Sequence, residues 1–263
     1  MNRLARGILS LSLFALFGAG ALVLSAAMLI LGRPDRCHPL LRWPWRALLW
    51  LFEAFRLVRV DRSGIPDCRG CVVVASHPSL IDVVILVALV PRVLPVAKHG
   101  LKGNPFVSLI VRNACLPDDE TLPEVSRPYL EKGWNVLVFP EGTRSPASGV
   151  GRFRRGAMQV ALRCGAPVVC VSLRQSRRIL GKDQKPWDMG ERTVVYSTAC
   201  KGPMPAVCGE GESLHAAASR LAREMHDFCR GVPSAVQAPC GQQEGDLGST
   251  ALQDRHTGYS PGK

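Results

Sequence analysis

The chain has 263 residues, of which 47% are hydrophobic and 21% are charged, and its formal net charge is +12. The length is sufficient for one domain with a substantial core plus appendages, and the positive charge favours anionic partners. Nucleic acid is disfavoured, because the basic residues between positions 152 and 185 are not interleaved with aromatic side chains and no nucleic-acid motif appears. Anionic lipid or a phosphate-bearing carrier explains the charge better.

The first predicted element is an apolar helix over residues 7–32. These 26 residues carry no charge and would extend roughly 39 Å as a helix, against a hydrocarbon core of about 30 Å. A cleaved signal peptide is the competing interpretation, but the stretch is too long for one and no small-residue cleavage site ends it. More arginines follow the stretch than precede it, which predicts that the bulk of the chain faces the cytoplasm.

The second predicted element is an amphipathic helix over residues 40–60. Four of its five charged side chains, Arg42, Arg46, Glu53 and Arg56, fall on one stripe and leave the aromatic and leucine positions on the opposite face. We expect it to lie in the membrane interface, where Trp and Arg are enriched, and the alternative is a helix that packs into the core. Residues 1–60 are therefore predicted to form a membrane anchor.

Residues 61–230 are predicted to form an α/β domain with a mixed, mostly parallel sheet flanked by helices. The strands are expected near residues 71–75, 93–97, 135–139, 167–173 and 193–200, and helical stretches lie between several of them. A last helix is expected near residues 212–230, with Gly231 just beyond it, and its two histidines, His215 and His226, are expected to be solvated. The polar remainder, residues 231–263, is predicted to be a disordered tail.

Ten cysteines raise the question of a disulfide or metal framework. Cys68 and Cys71 form a Cys-x-x-Cys pair, but no second pair at zinc spacing accompanies it. The default interpretation is a set of buried, reduced thiols that serve as small hydrophobes, which agrees with a cytoplasmic domain. An exported thiol or metal protein built on this pair stays an alternative.

A histidine and an aspartate follow the first predicted strand of the domain. His77 stands directly after the apolar run, and Asp82 stands five residues further on. A carboxylate at that distance can hold an imidazole in one tautomer while the ring takes a proton. The alternative for His77 is an ordinary hydrogen-bonded loop histidine.

A second polar stretch, Phe-Pro-Glu-Gly-Thr-Arg-Ser over residues 139–145, follows the strand predicted at 135–139. A glycine, a hydroxyl and an arginine directly after a strand can make a small anion site from backbone N–H groups and a guanidinium. The alternative is a plain strand-to-loop turn. Ligands of open α/β sheets bind at the carboxyl ends of strands, so both stretches are candidate parts of one site.

Together these stretches resemble the glycerolipid acyltransferase family. Its first motif, His-x4-Asp, falls on His77 and Asp82, and its third motif is matched at every position of 139–145. The second motif is half matched: Lys98, Leu101 and Pro105-Phe106 are present, but Ser108 stands where a glycine is usual. Acidic residues 118–120 also replace the basic residue that often closes that motif. The fourth motif keeps Pro167 but has Cys170 in place of its second proline.

The resemblance implies a membrane-bound O-acyltransferase that moves an acyl chain from acyl-CoA or acyl carrier protein to the hydroxyl of a lysophospholipid, such as 1-acylglycerol 3-phosphate. It implies that His77 is the general base and Asp82 its orienting carboxylate, with no cofactor, no metal and no covalent acyl-enzyme. Nearby Ser76 and Ser79 leave a serine acyl-enzyme open. The expected ligands of the acceptor head group are Glu141, Gly142, Thr143 and Arg144, with help from Lys98.

Three questions stay open at this point. If the acids at 118–120 face the same pocket as Arg144, they would repel a dianionic phosphate and favour a specialised lysolipid or a lipid-linked hydroxyl. A non-catalytic, membrane-anchored lipid-binding protein is also compatible with the fold. The apolar segment 83–90 is expected to be core rather than an acyl slot. The expected location is the inner membrane, with the domain on the cytoplasmic side.

Overall fold

The computed structural model describes residues 2–31, 34–98, 100, 108–185 and 187–232. Residues 101–107 of the second motif and the predicted tail from residue 233 lie outside the described residues. The helices are α1 (Arg3–Leu31), α2 (Pro34–Ala54), α3 (Ile81–Leu89), α4 (Ser108–Ala114), α5 (Leu122–Glu131), α6 (Gly156–Cys164) and α7 (Leu214–Gly231). The strands are β1 (Val58–Val60), β2 (Val72–Ala75), β3 (Val93–Ala97), β4 (Leu116–Pro117), β5 (Asn135–Val138), β6 (Val168–Gln175) and β7 (Val194–Met204).

These strands form one sheet with the order β1-β7-β6-β2-β5-β3-β4. Every neighbouring pair is parallel except β6 with β7, which confirms the predicted mixed, mostly parallel α/β sheet. Five strands lie where the sequence predicts them. The two that it misses, β1 and β4, have three and two residues and stand at the edges of the sheet. Strands this short carry no detectable periodicity.

The central strand β2 is buried on both faces, so its sequence is apolar throughout. Alternate side chains of a strand point to opposite faces. Val73 and Ala75 pack against residues of α1, α2 and α3, whereas Val72 and Val74 pack against residues of α5, α6 and α7. The sheet therefore separates two cores. Most of α3 is buried in the first of them, as expected for the segment 83–90.

The second helix differs from its prediction in extent. It ends at Ala54 rather than at residue 60, and residues 58–60 instead form β1, which pairs with β7. The chain turns at Arg56, whose φ of 54° lies in the left-handed region and cannot continue a helix. The sheet thus begins before residue 61, the predicted start of the domain.

The sides of α2 also differ in environment. Leu48, Leu49 and Phe52 are buried in the core beside α3, so this side of the helix fits the core-packing alternative. Trp43 and Trp50 are 77% and 64% exposed, as an interfacial helix would require. The helix therefore combines a buried side with exposed tryptophans, and its contact with a membrane stays a prediction.

Within the described residues, α1 is the one helix long and apolar enough to cross a membrane, judged by length and composition. Its first turns nevertheless pack against the domain. Arg6 is buried and donates to the carbonyl oxygens of Arg56, Leu57 and Arg192 at 3.1, 3.3 and 3.0 Å. The first half of α1 is thus part of the folded domain.

We expect Arg6→Met to lower the free energy of unfolding by on the order of 2 kcal/mol, because three carbonyl oxygens lose a charged donor. Arg3→Met is the matched control: the Arg3 side chain is 62% exposed, and its ion pair with Asp188 should contribute under about 1 kcal/mol. Chemical unfolding of both variants in detergent measures the difference. Equal stability of the two variants would contradict the structural role of Arg6.

Candidate active site

The two motif stretches meet because β2 and β5 are neighbours. They pair in parallel, with Val74 opposite Val138, so the residues that follow both strands emerge at the same edge of the sheet. The imidazole of His77 stacks on the ring of Phe139, with 4.3 Å between ring centroids. The loops after β2 and β5 therefore build one site, as the sequence predicts from the position of ligands in α/β sheets.

The imidazole of His77 is fixed by Asp82. Nδ1 of His77 lies 3.1 Å from Oδ2 of Asp82, a residue in the first turn of α3. The carboxylate is fully buried, whereas the imidazole keeps 14% of its surface exposed. With Nδ1 facing the carboxylate, Nε2 is the ring nitrogen left to exchange a proton with a bound molecule.

Ser79 donates twice to the same carboxylate. Its backbone N–H donates to Oδ2 of Asp82 at 2.6 Å, and its hydroxyl donates to Oδ1 at 3.0 Å. Burial raises the pKa of Asp82, while the hydrogen bonds from His77 and Ser79 act in the opposite direction. The carboxylate is thus stabilised by neutral donors rather than by a buried cation.

A tyrosine and a glutamine that the sequence analysis missed extend this network. The hydroxyl of Tyr196 lies 2.8 Å from Oγ of Ser79, and Nε2 of Gln175 donates to the same tyrosine hydroxyl. Burial raises the pKa of Tyr196 well above its usual value, so the phenol keeps its proton. Because Ser79 donates to Asp82 and Gln175 donates to Tyr196, the tyrosine proton points to Ser79.

The position of Tyr196 follows from strand register. Gln175 and Tyr196 are direct partners in the antiparallel pair β6–β7, which places their side chains together. No motif marks either residue, and they lie about a hundred residues from Ser79 in the sequence. A pattern of a few adjacent residues could not have found them.

Both serines near His77, Ser76 and Ser79, form hydrogen bonds inside the protein. Ser76 is fully buried, and its hydroxyl donates to the carbonyl oxygen of Leu173 and accepts from the Leu173 N–H. Ser79 is also fully buried and donates to Asp82. This bonding argues against a serine acyl-enzyme.

Glu141 is buried and holds the two loops together. Its Oε1 accepts from the N–H of His77 at 2.9 Å and from the hydroxyl of Ser145 at 2.8 Å. Its Oε2 accepts from the N–H of Gly151 at 2.7 Å. The geometry favours the role of loop support for Glu141, while its predicted contact with an acceptor stays a prediction.

The other predicted head-group ligands occupy different surroundings. Nη1 of Arg144 donates to the carbonyl oxygens of Leu180 and Gly181, both at 2.9 Å. Thr143 is exposed, and Lys98 is an exposed residue directly after β3. The structure thus joins His77, Asp82 and Glu141 directly, whereas Arg144 is directed towards residues 180–181.

A cleft of about 1330 Å³ opens beside these loops. Gly142 and Thr143 line it together with the acids at 118–120, so these acids do share a pocket with part of the third motif. Arg144 is not among the lining residues. Five other arginines are: Arg152, Arg154, Arg155, Arg163 and Arg223.

His226, expected to be solvated, also lines this cleft. Its imidazole is 22% exposed and meets the ring of Phe153 edge-on, with 5.4 Å between centroids. His215, on the same helix α7, is exposed as expected. The two histidines differ because His226, and not His215, faces the loop before α6.

The described cysteines are free thiols. Cys68 and Cys71 are buried at the start of β2, and Cys170 and Cys229 are buried with 3.5 Å between their sulfurs. Cys200 and Cys208 are exposed, which differs from the expected buried thiols. Among the residues described, no group of three His, Cys, Asp or Glu side chains is placed to hold a metal ion.

Comparison with known proteins shows which proteins the chain is similar to. Residues 56–174 match the family model described as Acyltransferase. The chain is 27% identical over 138 residues to a 1-acyl-sn-glycerol-3-phosphate acyltransferase of Pseudomonas aeruginosa, covering 48% of this chain and 54% of that protein. It is 26% identical over 184 residues to the 1-acyl-sn-glycerol-3-phosphate acyltransferase alpha of Homo sapiens. That match covers 64% of this chain and 62% of the human protein.

The first relatives are matched over part of their length. A Cocos nucifera protein of the same name is 27% identical over 134 residues, with 47% of this chain and 42% of that protein covered. The chain thus spans about half the length of the first curated relatives it matches. The crystal structure of the Thermotoga maritima 1-acyl-sn-glycerophosphate acyltransferase PlsC shares the fold, with a TM-score of 0.58 at 22% identity over 89% of this chain and 100% of that chain.

We expect Asp82→Asn to be at least as stable as the wild type at pH 8, with a melting temperature up to a few degrees higher. Asparagine keeps the shape and most hydrogen bonds of Asp82 but removes the cost of burying a charge. Because the raised pKa means that the folded state binds a proton more tightly than the unfolded state, the wild type recovers this cost as pH falls. The difference in stability should therefore shrink as pH falls from 8 towards the pKa of aspartate in the unfolded chain, about 4.

Thermal unfolding at several pH values tests this, with Asp118→Asn as the surface control because Asp118 is exposed. A gap of opposite sign, with Asp82→Asn less stable at pH 8, would contradict the expectation.

Proposed function

We propose that this protein transfers an acyl group from a thioester to the hydroxyl of a lysophospholipid, with 1-acylglycerol 3-phosphate as the leading acceptor. The match of residues 56–174 to the Acyltransferase family model and the similarity to 1-acyl-sn-glycerol-3-phosphate acyltransferases support the proposal. The observation that carries the proposal is the buried Asp82 held 3.1 Å from Nδ1 of His77 at the carboxyl edge of the sheet. An imidazole oriented in this way suits a general base. A lipid-binding protein without turnover would not need this buried pair.

The reaction proceeds in one addition and one elimination. Nε2 of His77 takes the proton of the acceptor hydroxyl while the hydroxyl oxygen attacks the acyl carbonyl, and Asp82 stabilises the imidazolium that forms. The tetrahedral intermediate collapses, the carbon–sulfur bond breaks, and the leaving thiolate takes the proton from Nε2. Since the hydroxyls of Ser76 and Ser79 are engaged, no covalent acyl-enzyme is invoked.

Arg144 is the proposed ligand of the acceptor's phosphate. Its guanidinium is held by two backbone carbonyls through Nη1 alone, and within the described residues Nε and Nη2 make no hydrogen bond. An anchored guanidinium with donors to spare is suited to a phosphate. The rival acceptor, a specialised lysolipid or lipid-linked hydroxyl, would be favoured if the acids at 118–120 shared the pocket of Arg144, but these acids line the cleft and Arg144 does not.

A membrane site for the reaction is supported by the face of the sheet that carries α1, α2 and α3. Exposed apolar side chains of α1, among them Leu4, Ile8 and Leu16, and the two exposed tryptophans of α2 offer a lipid-facing surface. Asp82 lies on α3, which packs against α2. We assign the protein to the inner membrane with its catalytic domain on the cytoplasmic side.

We expect His77→Ala to lower the rate of acyl transfer a hundredfold or more, because general-base catalysis typically contributes at least that factor. The assay incubates purified enzyme in detergent with labelled acyl-CoA or acyl carrier protein and a panel of lysolipids headed by 1-acylglycerol 3-phosphate. His215→Ala is the matched control, since His215 is exposed on α7. Near wild-type turnover by a folded His77→Ala protein would refute the mechanism, and turnover of a different lysolipid alone would select the rival acceptor.

Tyr196→Phe should lower kcat about three- to tenfold with little change in KM, because one neutral hydrogen bond contributes about 0.5–1.5 kcal/mol. Tyr196 is a positioning residue that acts through Ser79. The double variant Tyr196→Phe/Ser79→Ala should therefore be no slower than Ser79→Ala alone. Additive losses in this cycle would show that Tyr196 contributes only to packing.

A further inference from the structure

The first part of the loop between β6 and β7, residues 176–185, contacts both motif loops of the active site. The carbonyl oxygen of Leu180 accepts from the N–H of Leu80, just before α3, at 3.2 Å. The same oxygen accepts from Nη1 of Arg144 at 2.9 Å. This loop follows residues 56–174, which match the family model, so the family motifs do not include it. Its contribution to the site belongs to this chain.

Arg178 lies in this loop, and its guanidinium stands beside the third motif. Nη2 of Arg178 donates to the carbonyl oxygen of Ser145, the residue that follows Arg144, at 3.5 Å. The N–H of Ser145 in turn donates to the carbonyl oxygen of His77 at 2.7 Å. A single residue therefore separates the Arg178 guanidinium from the backbone of the proposed base.

Gly181 brings the guanidinium groups of Arg144 and Arg178 together. Nη1 of Arg144 donates to the carbonyl oxygen of Gly181 at 2.9 Å. A Cβ atom on Gly181 would stand 3.0 Å from Nη2 of Arg178, so Arg178 packs against the same residue. The hydrogen bond from Arg178 also lowers the pKa of Asp183, and the charge of Arg144 acts in the same direction. The two arginines thus share one corner of the site.

The ion pair between Arg178 and Asp183 leaves Arg178 exchangeable. Asp183 accepts from Nη1 and Nη2 of Arg178 at 3.3 and 3.0 Å, but the Asp183 side chain is 61% exposed and that of Arg178 is 31% exposed. Ion pairs this exposed to water contribute little to stability. A phosphate offers more charge and more acceptor oxygens than a carboxylate, so it can take the place of Asp183 on the guanidinium.

A second positive charge at this corner answers a departure of the chain from its family pattern. The basic residue that often closes the second motif is missing, and the acids at 118–120 that stand there line the cleft, which Arg144 does not. Arg144 alone would meet a phosphate dianion with half of its charge. Arg178 supplies the other half from a different part of the chain.

We propose that Arg178 is a second ligand of the acceptor's phosphate, which it binds together with Arg144 in exchange for Asp183. The inference rests on the proposed function and adds a residue that selects a phosphorylated acceptor. Asp183 is then the counter-ion that holds Arg178 in place while the site is empty.

The test measures the binding of 1-acylglycerol 3-phosphate to the full-length enzyme in detergent micelles without an acyl donor. Its partner probe is 1-acylglycerol, which lacks the phosphate. Arg178→Gln should raise the Kd of the phosphorylated lipid about tenfold or more, because hydrogen bonds to a charged group are lost, and should change the Kd of 1-acylglycerol less than about twofold. Arg177→Gln is the matched control, since Arg177 is 48% exposed in the same loop and pairs with Asp188 instead.

Asp183→Asn separates a ligand from a structural support. If Arg178 binds phosphate, loss of the competing carboxylate should not raise the Kd of the phosphorylated lipid. If the ion pair only supports the loop, Asp183→Asn and Arg178→Gln should weaken binding alike, and that result would overturn the inference. Arg178→Lys, which keeps the charge but not the fork of donors, replaces Arg178→Gln should the latter fail to fold.

The outcomes also separate this inference from the proposed function. Binding that needs both the phosphate and Arg178, in a wild-type protein that transfers no acyl group, would support the inference and reject the proposed function. Turnover of 1-acylglycerol 3-phosphate with a KM that Arg178→Gln leaves unchanged would keep the proposed function and overturn the inference.

Discussion

The carboxylate of Glu141 is the contact on which the geometry of the site depends. It accepts from the N–H of His77 in one loop, and from Ser145 and Gly151 in the other. Because the carboxylate is buried, these are charge-assisted bonds in a low dielectric, and leaving either oxygen without a donor would be costly. One side chain therefore fixes the backbone of His77 relative to the loop that follows β5.

The double burial of β2 gives the site two different surroundings. Because both faces of the strand are covered, the sheet carries a helical layer with exposed apolar side chains on one face and a polar cleft on the other. His77 follows β2 and stands at the edge between these layers, so the surroundings of its imidazole are set by both.

Sequence patterns predicted the features that depend on neighbouring residues and missed those that depend on pairing across the chain. The buried strands have continuous apolar runs, and His77 and Asp82 belong to one short motif, so both were found. The position of Tyr196 depends on strand register, and the cleft beside the loops depends on helix packing, and no local pattern encodes either. The end of α2 was misplaced because residues 55–57 include no glycine or proline that would mark the end of a helix, and the pairing of residues 58–60 with β7 decides the outcome. The buried Arg6 was taken as a flanking charge for the same reason, since its carbonyl partners come from distant segments.

The neutral hydrogen-bond donors around Asp82 suit its proposed role, which is to stabilise a positive charge on His77. Its burial raises its pKa and costs stability, and a nearby arginine would offset that cost most directly. A cation there would also cancel the negative potential that the carboxylate exerts on the imidazole, and so weaken its stabilisation of the imidazolium. Ser79, oriented by Tyr196 and Gln175, instead supplies hydrogen bonds without adding charge. The hydrogen bonds of this network act against the effect of burial and favour the ionised form of Asp82, and an ionised Asp82 would stabilise a positive charge on His77.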